Sequence, residues 1–525
     1  MRAFLFFGLS CLILLTSNWL IELTVSDGWD IFHLMDTGQR FLEGELAWTV
    51  EYVDKLLITQ FLFILPAFFG TLKVWFIISA IFVIFGSYAC FVLVDDALSA
   101  NSNISIKNRK ISAIIAAVST VYLFSVLPGG LLHINAASAS SAAISLALLL
   151  KFSFKSEDKK ISFLPFFLSA LFASICIGVR PYYIFALIFS AILLLLPLLK
   201  SSLGIKRTLF ISLFWVFLVG IFGLLTNMIP YIIIGRMDAF FAGISMLSQV
   251  PPTSPTIKIL YDLMYYIFKQ HALIILIIVL SFTSSIFAMI TFVRSRQSTI
   301  SLDKMTYTLI ILTLVFPLLL MIMFLNRHYW NHYLQMFSPF WGIGLGFFFA
   351  ISISSFSSKT LKDSIFIWAV AISLVLFTII PNFTYNLRVI YDNLNNNKLK
   401  LNKGDIRLEE ISKVLRSLPE ENRDFIFLDD ARPHFFLKEP RHGFPLASHT
   451  RHIVKFGWWK DANMPDHFNH PTNSKEYCLA LEQYGPTLIF VGDKILDFEK
   501  TCLKKTLSYS FNQNLSTDVN LYIRN

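Results

Sequence analysis

Acidic residues are almost absent from the long apolar stretches of this chain, and charge of either sign makes up only 15% of it, against about 25% in soluble domains. A transport path through a membrane needs ionisable groups inside several spans, so their scarcity argues against a transporter. Cysteine is sparse too. None of the five stands in a Cys-x-x-Cys pair, which leaves dithiol redox chemistry and zinc ribbons unsupported. Cys11, Cys90 and Cys176 lie in apolar runs and read as small buried hydrophobes. Cys478 and Cys502 lie in a polar C-terminal region, where they form one disulfide if that region is extracytoplasmic. No Glu follows His328 on the way to His332, so the His-Glu-x-x-His zinc pattern is missing. No repeat of fixed period occurs, and the one biased segment is Asn-rich Asn393–Asn397.

What the chain has in excess is hydrocarbon. Of 525 residues, 55% are hydrophobic and 53 are phenylalanine; mean hydropathy is +0.63. These values belong to a polytopic membrane protein. Apolar runs of spanning length cover 3–23, 72–94, 111–127, 135–151, 161–179, 182–199, 208–229, 271–293, 306–325, 333–354 and 364–381, about eleven transmembrane helices. They are continuous rather than alternating, which excludes barrel strands. The 44 basic residues exceed the 34 acidic ones by ten. Much of the excess falls in alternate short loops: Lys107, Arg109 and Lys110, then Lys151, Lys155, Lys159 and Lys160, then Lys200, Lys206 and Arg207, then Arg294, Arg296 and Lys304, then Lys359 and Lys362. The intervening loops near Pro128–His133 and Arg180-Pro181 are nearly bare of them. The positive-inside rule therefore puts the N-terminus in the cytoplasm, and 24–55, 227–270 and the tail after 382 on the outer side. Nucleic-acid binding is excluded on the same ground.

The first outer stretch is acidic, with Asp27, Asp30, Asp36, Glu43, Glu45, Glu51 and Asp54 against Arg40 and Lys55. Asp27 and Asp30 share a face if their segment is helical. They read either as a solvated helix start from Trp29 or as a general base for an acceptor hydroxyl. Residues 56–71 are short for a span and predict an interfacial helix ending near Pro66 and Gly70. The mixed loop 227–270 is long enough to cap a cavity. Cationic candidates on the outer side are Lys55, Arg180, Arg236 and Arg327; Arg180, at a span end before Pro181-Tyr182-Tyr183, reads as an anchor that snorkels to headgroups. From about 400 the composition turns soluble. Phe425-Ile426-Phe427-Leu428 and Thr487–Val491 read as strands, and Ile406–Leu418 and Cys478–Gln483 as helices. The tail histidines His434, His442, His449, His452, His467 and His470 lack a Cys or Glu to complete a metal set. Trp458-Trp459 reads either as a sugar-stacking platform or, in preference, as a contact with the membrane interface.

Asp27 beyond the first span, Gly38-Gln39-Arg40-Phe41-Leu42-Glu43-Gly44 and Asp54-Lys55-Leu56 resemble the first outer loop of the membrane-embedded GT-C glycosyltransferases, which include lipid A aminoarabinose transferases and protein O-mannosyltransferases. Arg327-His328-Tyr329-Trp330-Asn331-His332-Tyr333, followed by Pro339, is similar to a later outer helix start in relatives that use lipid-linked sugars. The resemblance covers roughly 1–381 and implies a GT-C-like transmembrane domain over 1–390, with a soluble periplasmic α/β domain at 400–525. It implies Asp27 as catalytic base and Asp30 in a supporting or metal-facing role. Lys55, Arg236, Arg327, His328, His332 and Tyr333 would bind donor phosphate or substrate; Leu56-Leu57 stands where relatives carry prolines after the basic residue. The implied partners are a polyprenyl-phosphate sugar, a lipid, glycan or protein acceptor and membrane lipids, at a bacterial inner membrane. No cofactor is fixed, and a divalent cation, Mg or Mn, stays open. The alternatives are a transporter or flippase of a lipid-linked glycan, and an O-antigen polymerase or ligase.

Overall fold

The computed structural model describes 29–46, 48–49, 55–99, 104–127, 133–155, 163–196, 204–249, 256–269, 272–297, 304–325 and 331–355, and in the tail 416–417, 425–427, 473–484, 487–491, 497, 500–502, 509–516 and 519–524. The expected spans at 3–23 and 364–381 lie outside these residues, as do the tail histidines, Trp458-Trp459 and most of the helix expected at 406–418. In chain order the helices are α1 (Trp29–Leu42), α2 (Leu57–Phe69), α3 (Leu72–Ser99), α4 (Ile106–Val126), α5 (Ile134–Lys155), α6 (Leu164–Val179), α7 (Tyr183–Leu195), α8 (Gly204–Asn227), α9 (Ile229–Ile233), α10 (Met237–Gln249), α11 (Thr256–Phe268) and α12 (Ala272–Gln297). Then come α13 (Lys304–Ile310), a π-turn (Ile311–Val315), α14 (Phe316–Leu325), a 3-10 helix (Asn331–Phe337) and α15 (Ser338–Ser355). The tail holds β1 (Phe425–Phe427), α16 (Ser474–Tyr484), β2 (Thr487–Val491), β3 (Tyr509–Ser516) and β4 (Val519–Arg524).

By length and composition, Leu72–Ser99, Ile106–Val126, Ile134–Ser153, Gly204–Asn227 and His332–Ser352 can each cross a membrane, giving the described chain the build of a polytopic helical membrane protein. Leu164–Val179 and Tyr183–Leu195 are shorter than the runs read from sequence. The chain leaves α6 through an extended Arg180 (φ −140°, ψ 95°) ahead of Pro181, which cannot continue the helix.

Two compact bodies divide the chain. The first comprises Phe76–Thr226 and Ser254–Ile390, with 1–20. Its helices are joined through small residues and hydroxyls. On α15, Gly342 and Gly346 stand four apart and face Ser112, Ala116 and Thr120 of α4, themselves spaced by four; a Cβ on Gly346 would lie 2.7 Å from the Ser112 carbonyl oxygen. Gly344 packs on Ser281 of α12 in the same way. Such stripes let helix backbones approach where no water drives them together. The α5–α6 pair is held by a reciprocal bond, Ser145 Oγ donating to the Ser169 carbonyl and Ser169 Oγ to the Ser145 carbonyl, both at 2.8 Å. Trp215 Nε1 of α8 adds a 3.1 Å bond to Ser169 Oγ. Beyond Trp215, α8 exposes Leu209, Phe210, Leu213, Phe217 and Leu224, a face suited to hydrocarbon. At one end of this body Asp95 pairs with Arg109 at 2.7 Å and with Lys110. The π-turn precedes Pro317, which has no N–H to offer the preceding turn; the Phe316 amide reaches back to the Ile311 carbonyl instead.

The second body takes in Ile21–Trp75, Asn227–Thr253 and the tail. In it α1 crosses α2 so closely that Gly38 rests on the Phe63 backbone. Gln60 Nε2 donates to the Thr37 carbonyl at 2.5 Å and the Glu45 carbonyl at 3.3 Å. The start of α2 has no side-chain cap of its own; Asn227 Oδ1 accepts from the Ile58 amide at 3.0 Å. Its end is closed by Gly70 in the left-handed region (φ 63°), as the sequence predicts. Trp48 is also left-handed (φ 66°), at a cost on the order of 1–3 kcal/mol. It is fully buried between Tyr231 and Phe240 (ring centroids 6.2 and 6.1 Å) and against Gly243. Burial pushes the Tyr231 hydroxyl pKa up.

In the tail the strands lie in the order β1-β2-β4-β3, with β1 and β2 parallel (Phe425↔Thr487, Ile426↔Leu488, Phe427↔Ile489) and β2–β4 and β4–β3 antiparallel. Parallel neighbours need a crossover, and α16 lies in that connection; Asn473 Oδ1 caps it by accepting from the Lys475 and Glu476 amides, each at 3.0 Å. Cys478 and Cys502 form a disulfide, Cα atoms 5.2 Å apart.

Gly346→Val is expected to destabilise the protein in detergent by about 2 kcal/mol, because the new side chain meets backbone rather than a movable group. Gly220→Ala, with nothing within 4 Å of the new Cβ, serves as the control. Equal thermal unfolding of both variants would contradict the close packing.

Candidate functional site

Three connections of the first body meet at one of its ends: the residue before α5, the turn between α6 and α7, and the 3-10 helix leading into α15. The first turn of α5 has no acidic residue, so its free amides take acceptors from outside. His133, buried, supplies two, Nδ1 for the Asn135 amide (3.2 Å) and its carbonyl for the Ala136 amide (3.1 Å). At the other connection the Arg180 carbonyl accepts from the Tyr183 amide at 3.1 Å, closing a turn with Pro181 next after Arg180. That turn directs Arg180 inward.

Arg180 is 4% exposed. Its Nε donates to Asn135 Oδ1 at 2.6 Å, its Nη2 lies 3.4 Å from His133 Nε2, and its guanidinium sits 5.2 Å from the centre of the Tyr333 ring. Asn135 Nδ2 donates to the His332 carbonyl at 2.9 Å, tying the 3-10 helix to the same point. The His332 ring stacks on His133, centroids 3.9 Å apart, and Tyr182 borders Tyr333 at 5.7 Å. Tyr183 Oη donates to the Met336 carbonyl at 3.0 Å and holds that helix in place.

Burying a charge costs on the order of several kcal/mol unless it is paired, yet among the described residues no carboxylate pairs with Arg180. An amide carbonyl and an aromatic face are partial compensation. His133 lies between two donors, the Asn135 amide at Nδ1 and the guanidinium at Nε2. Arg has no acceptor to offer. With Nδ1 accepting, the proton of the neutral ring sits on Nε2 and faces Nη2. Nη1 has no hydrogen-bond partner among the described residues. A guanidinium can donate to an anionic oxygen such as that of a phosphate.

The residues predicted from sequence fall in different places. His332 and Tyr333 belong to this cluster. Asp30 lies in the first turn of α1, Lys55 is buried just ahead of α2, and both belong to the other body. Arg236 is there too, half-exposed and held by the adjacent Asp238 at 3.1 Å. Asp27, Arg327 and His328 lie outside the described residues, so the spacing of His328 and His332 finds no description. Sequence reasoning passed over His133 and Asn135, and it took Arg180 for a snorkelling anchor. Burial corrects the last reading, for the turn at Pro181 carries the guanidinium into the bundle instead of out to headgroups. The missed signal was the polar pair His133 and Asn135 at one connection and the basic Arg180 at another. Among the described residues no group of three or more His, Cys, Asp or Glu gathers as a metal would need.

Compared with known proteins, the chain matches no family model, and no curated protein matches it.

Arg180→Met keeps the length of the side chain and removes its charge. Because no carboxylate among the described residues is left behind, its stability in detergent is expected within about 1 kcal/mol of the parent. A loss above about 3 kcal/mol would make Arg180 a structural ion and not a site.

Proposed function

We propose that this chain is a membrane glycosyltransferase of the GT-C kind, moving a sugar from a polyprenyl-phosphate donor to a lipid, glycan or protein acceptor at the outer face of a bacterial inner membrane. The observation that carries the reading is the buried Arg180 guanidinium, which pairs with no carboxylate among the described residues and lies beside His133. A phosphate that leaves the sugar as an anion needs such a partner, and a guanidinium presents a planar fork to it. In the proposed reaction Asp27 takes the proton of an acceptor hydroxyl and the hydroxyl oxygen attacks the anomeric carbon. The bond from that carbon to the phosphate oxygen breaks, and configuration inverts. Asp30 supports that base, alone or with a divalent cation; His332 and Tyr333, with Arg327 and His328, border the phosphate.

Supporting features are of a coarser kind. The three connections that meet at Arg180 are all outer ones by the positive-inside alternation over about eleven spans. The Cys478–Cys502 disulfide suits a periplasmic tail, and its four strands with α16 suit a small α/β domain. The flippase alternative calls for ionisable groups along a path, whereas these gather at one end of a body. The polymerase or ligase alternative calls for key Arg and His residues in a large later outer loop, and the stretch 227–270, with Arg236 paired to Asp238, keeps that alternative open.

The test compares surface glycolipids and glycans by mass in strains lacking the gene, restored with it, and restored with Asp27→Asn or Arg180→Gln. Loss of one sugar mass in the null and both variants, returned only by the intact gene, is the expected result. Undecorated lipid-linked glycan accumulating in the null while Asp27→Asn behaves as intact would move the reading to a transporter or polymerase.

A further inference from the structure

Helix α11 has three faces where an ordinary surface helix has two. At about 100° per residue, Ile259 and Leu263 fall on one side. Both are buried, and Leu263 with Ile267 joins the core of the first body, where α14 is a neighbour. Lys258, Asp262 and Lys269 fall on a second side, a charged strip that runs from the first turn to the residue after the last. The remaining arc, roughly 140° wide, is made of Ile257, Leu260, Tyr261, Met264, Tyr265 and Phe268. All six are exposed, Ile257 at 83% and Phe268 at 66%. Tyr261 and Tyr265 stack within the arc, ring centroids 6.1 Å apart. Lys269 Nζ lies 4.4 Å from the centre of the Tyr265 ring, where the arc borders the charged strip.

Water is a poor neighbour for so wide an apolar arc, and a spanning pose fails on two counts. The 13 residues of α11 reach about 20 Å, short of a hydrocarbon core about 30 Å thick. An upright helix would also draw its charged strip through the hydrocarbon. A strip parallel to the axis meets water along its whole length only when the axis lies in the membrane plane. The next helix fixes the level. Only Lys269-Gln270-His271 separate α11 from α12, which carries no Asp, Glu, Lys or Arg from Ala272 to Val293. Away from its seam with α15, α12 exposes Leu276, Val279, Phe282, Ile286 and Met289. That stripe suits hydrocarbon, so α11 ends at the boundary where the stripe begins, the depth at which tyrosine is enriched. We propose that α11 is an in-plane interfacial helix. Its Ile257–Phe268 arc is seated in the lipid of the leaflet at which α12 begins, its charged strip faces water, and its Ile259–Leu263 side is fastened to the bundle. Residues 256–268 are thereby committed to the bilayer and withdrawn from the stretch able to cap a cavity.

The experiment reconstitutes the full chain in vesicles of phosphatidylcholine and phosphatidylglycerol and attaches a nitroxide to one introduced cysteine at a time. Ile257→Cys, Tyr261→Cys, Met264→Cys and Phe268→Cys report on the arc, Lys258→Cys and Asp262→Cys on the strip, and Leu263→Cys on the buried side. Cys90 and Cys176 are buried and Cys478 is bonded to Cys502; the parent, labelled in parallel, gives the native background. Collision with oxygen, which concentrates in hydrocarbon, is compared with collision with a nickel chelate, which stays in water. Labels on the arc are expected to favour oxygen and to share one depth, about 5–10 Å into the boundary. Labels on the strip are expected to favour nickel, and the Leu263→Cys label to meet neither reagent. The Ile257→Cys and Phe268→Cys labels are the sharpest pair: equal in depth for a helix in the plane, about 16 Å apart for an upright one. Arc labels as open to nickel as those of the strip would put the arc in water. Arc labels closed to both reagents would put it under protein, the tail or a second copy. Depth rising steadily along the helix would make α11 a re-entrant segment. Each of these three results would overturn the inference, and none touches the phosphate reading, which rests on Arg180.

Discussion

A guanidinium carried into a helical bundle has to be held by something, and here the holding is done by one amide side chain. Asn135 accepts from Arg180 on one side and donates to the His332 backbone on the other. Three connections far apart in sequence are thereby drawn to a single point. The neutral amide does this without cancelling the charge. A carboxylate in its place would pair with Arg180 and leave no reason for an anion to enter. Among the described residues the guanidinium is therefore incompletely solvated, within a bundle that is tightly joined.

That joining is mostly steric and local. Where lipid rather than water surrounds the helices, apolar side chains gain little by meeting one another. Close backbone approach at Gly342 and Gly346, the Ser145–Ser169 exchange and the Trp215 bond to it supply contacts that lipid tails cannot replace. The polar cluster lies beyond the end of this packed region, where rigidity is inherited and polar atoms are permitted.

Much of the framework was legible from residues alone. Apolar length located the long helices at 72–94, 111–127 and 135–151 to within a few residues, because few other structures suit such runs. Gly70 announced its turn, and two short β-rich runs in the tail are β1 and β2. The site was less legible. His332 and Tyr333 were found through a family resemblance, while Arg180 was misread because a basic residue at a span end usually snorkels outward. Its inward course depends on the turn at Pro181 and on an acceptor 45 residues earlier in the chain, and neither is visible in a local window. The glycine and serine stripes were missed for a related reason: their meaning lies in which helix they face.

The wide turn at Ile311–Val315 has a consequence for how this part of the molecule is read. One extra residue in a turn rotates everything beyond it by about 100° relative to an unbroken helix. A single helical wheel drawn through 304–325 would therefore assign the wrong neighbours to α14. The two halves of this span have independent rotational settings, joined by a backbone offset anchored at Pro317. An insertion or deletion of one residue within the turn would act as a change of phase, leaving α13 seated while turning α14, which precedes His332 in the chain, toward a different set of partners.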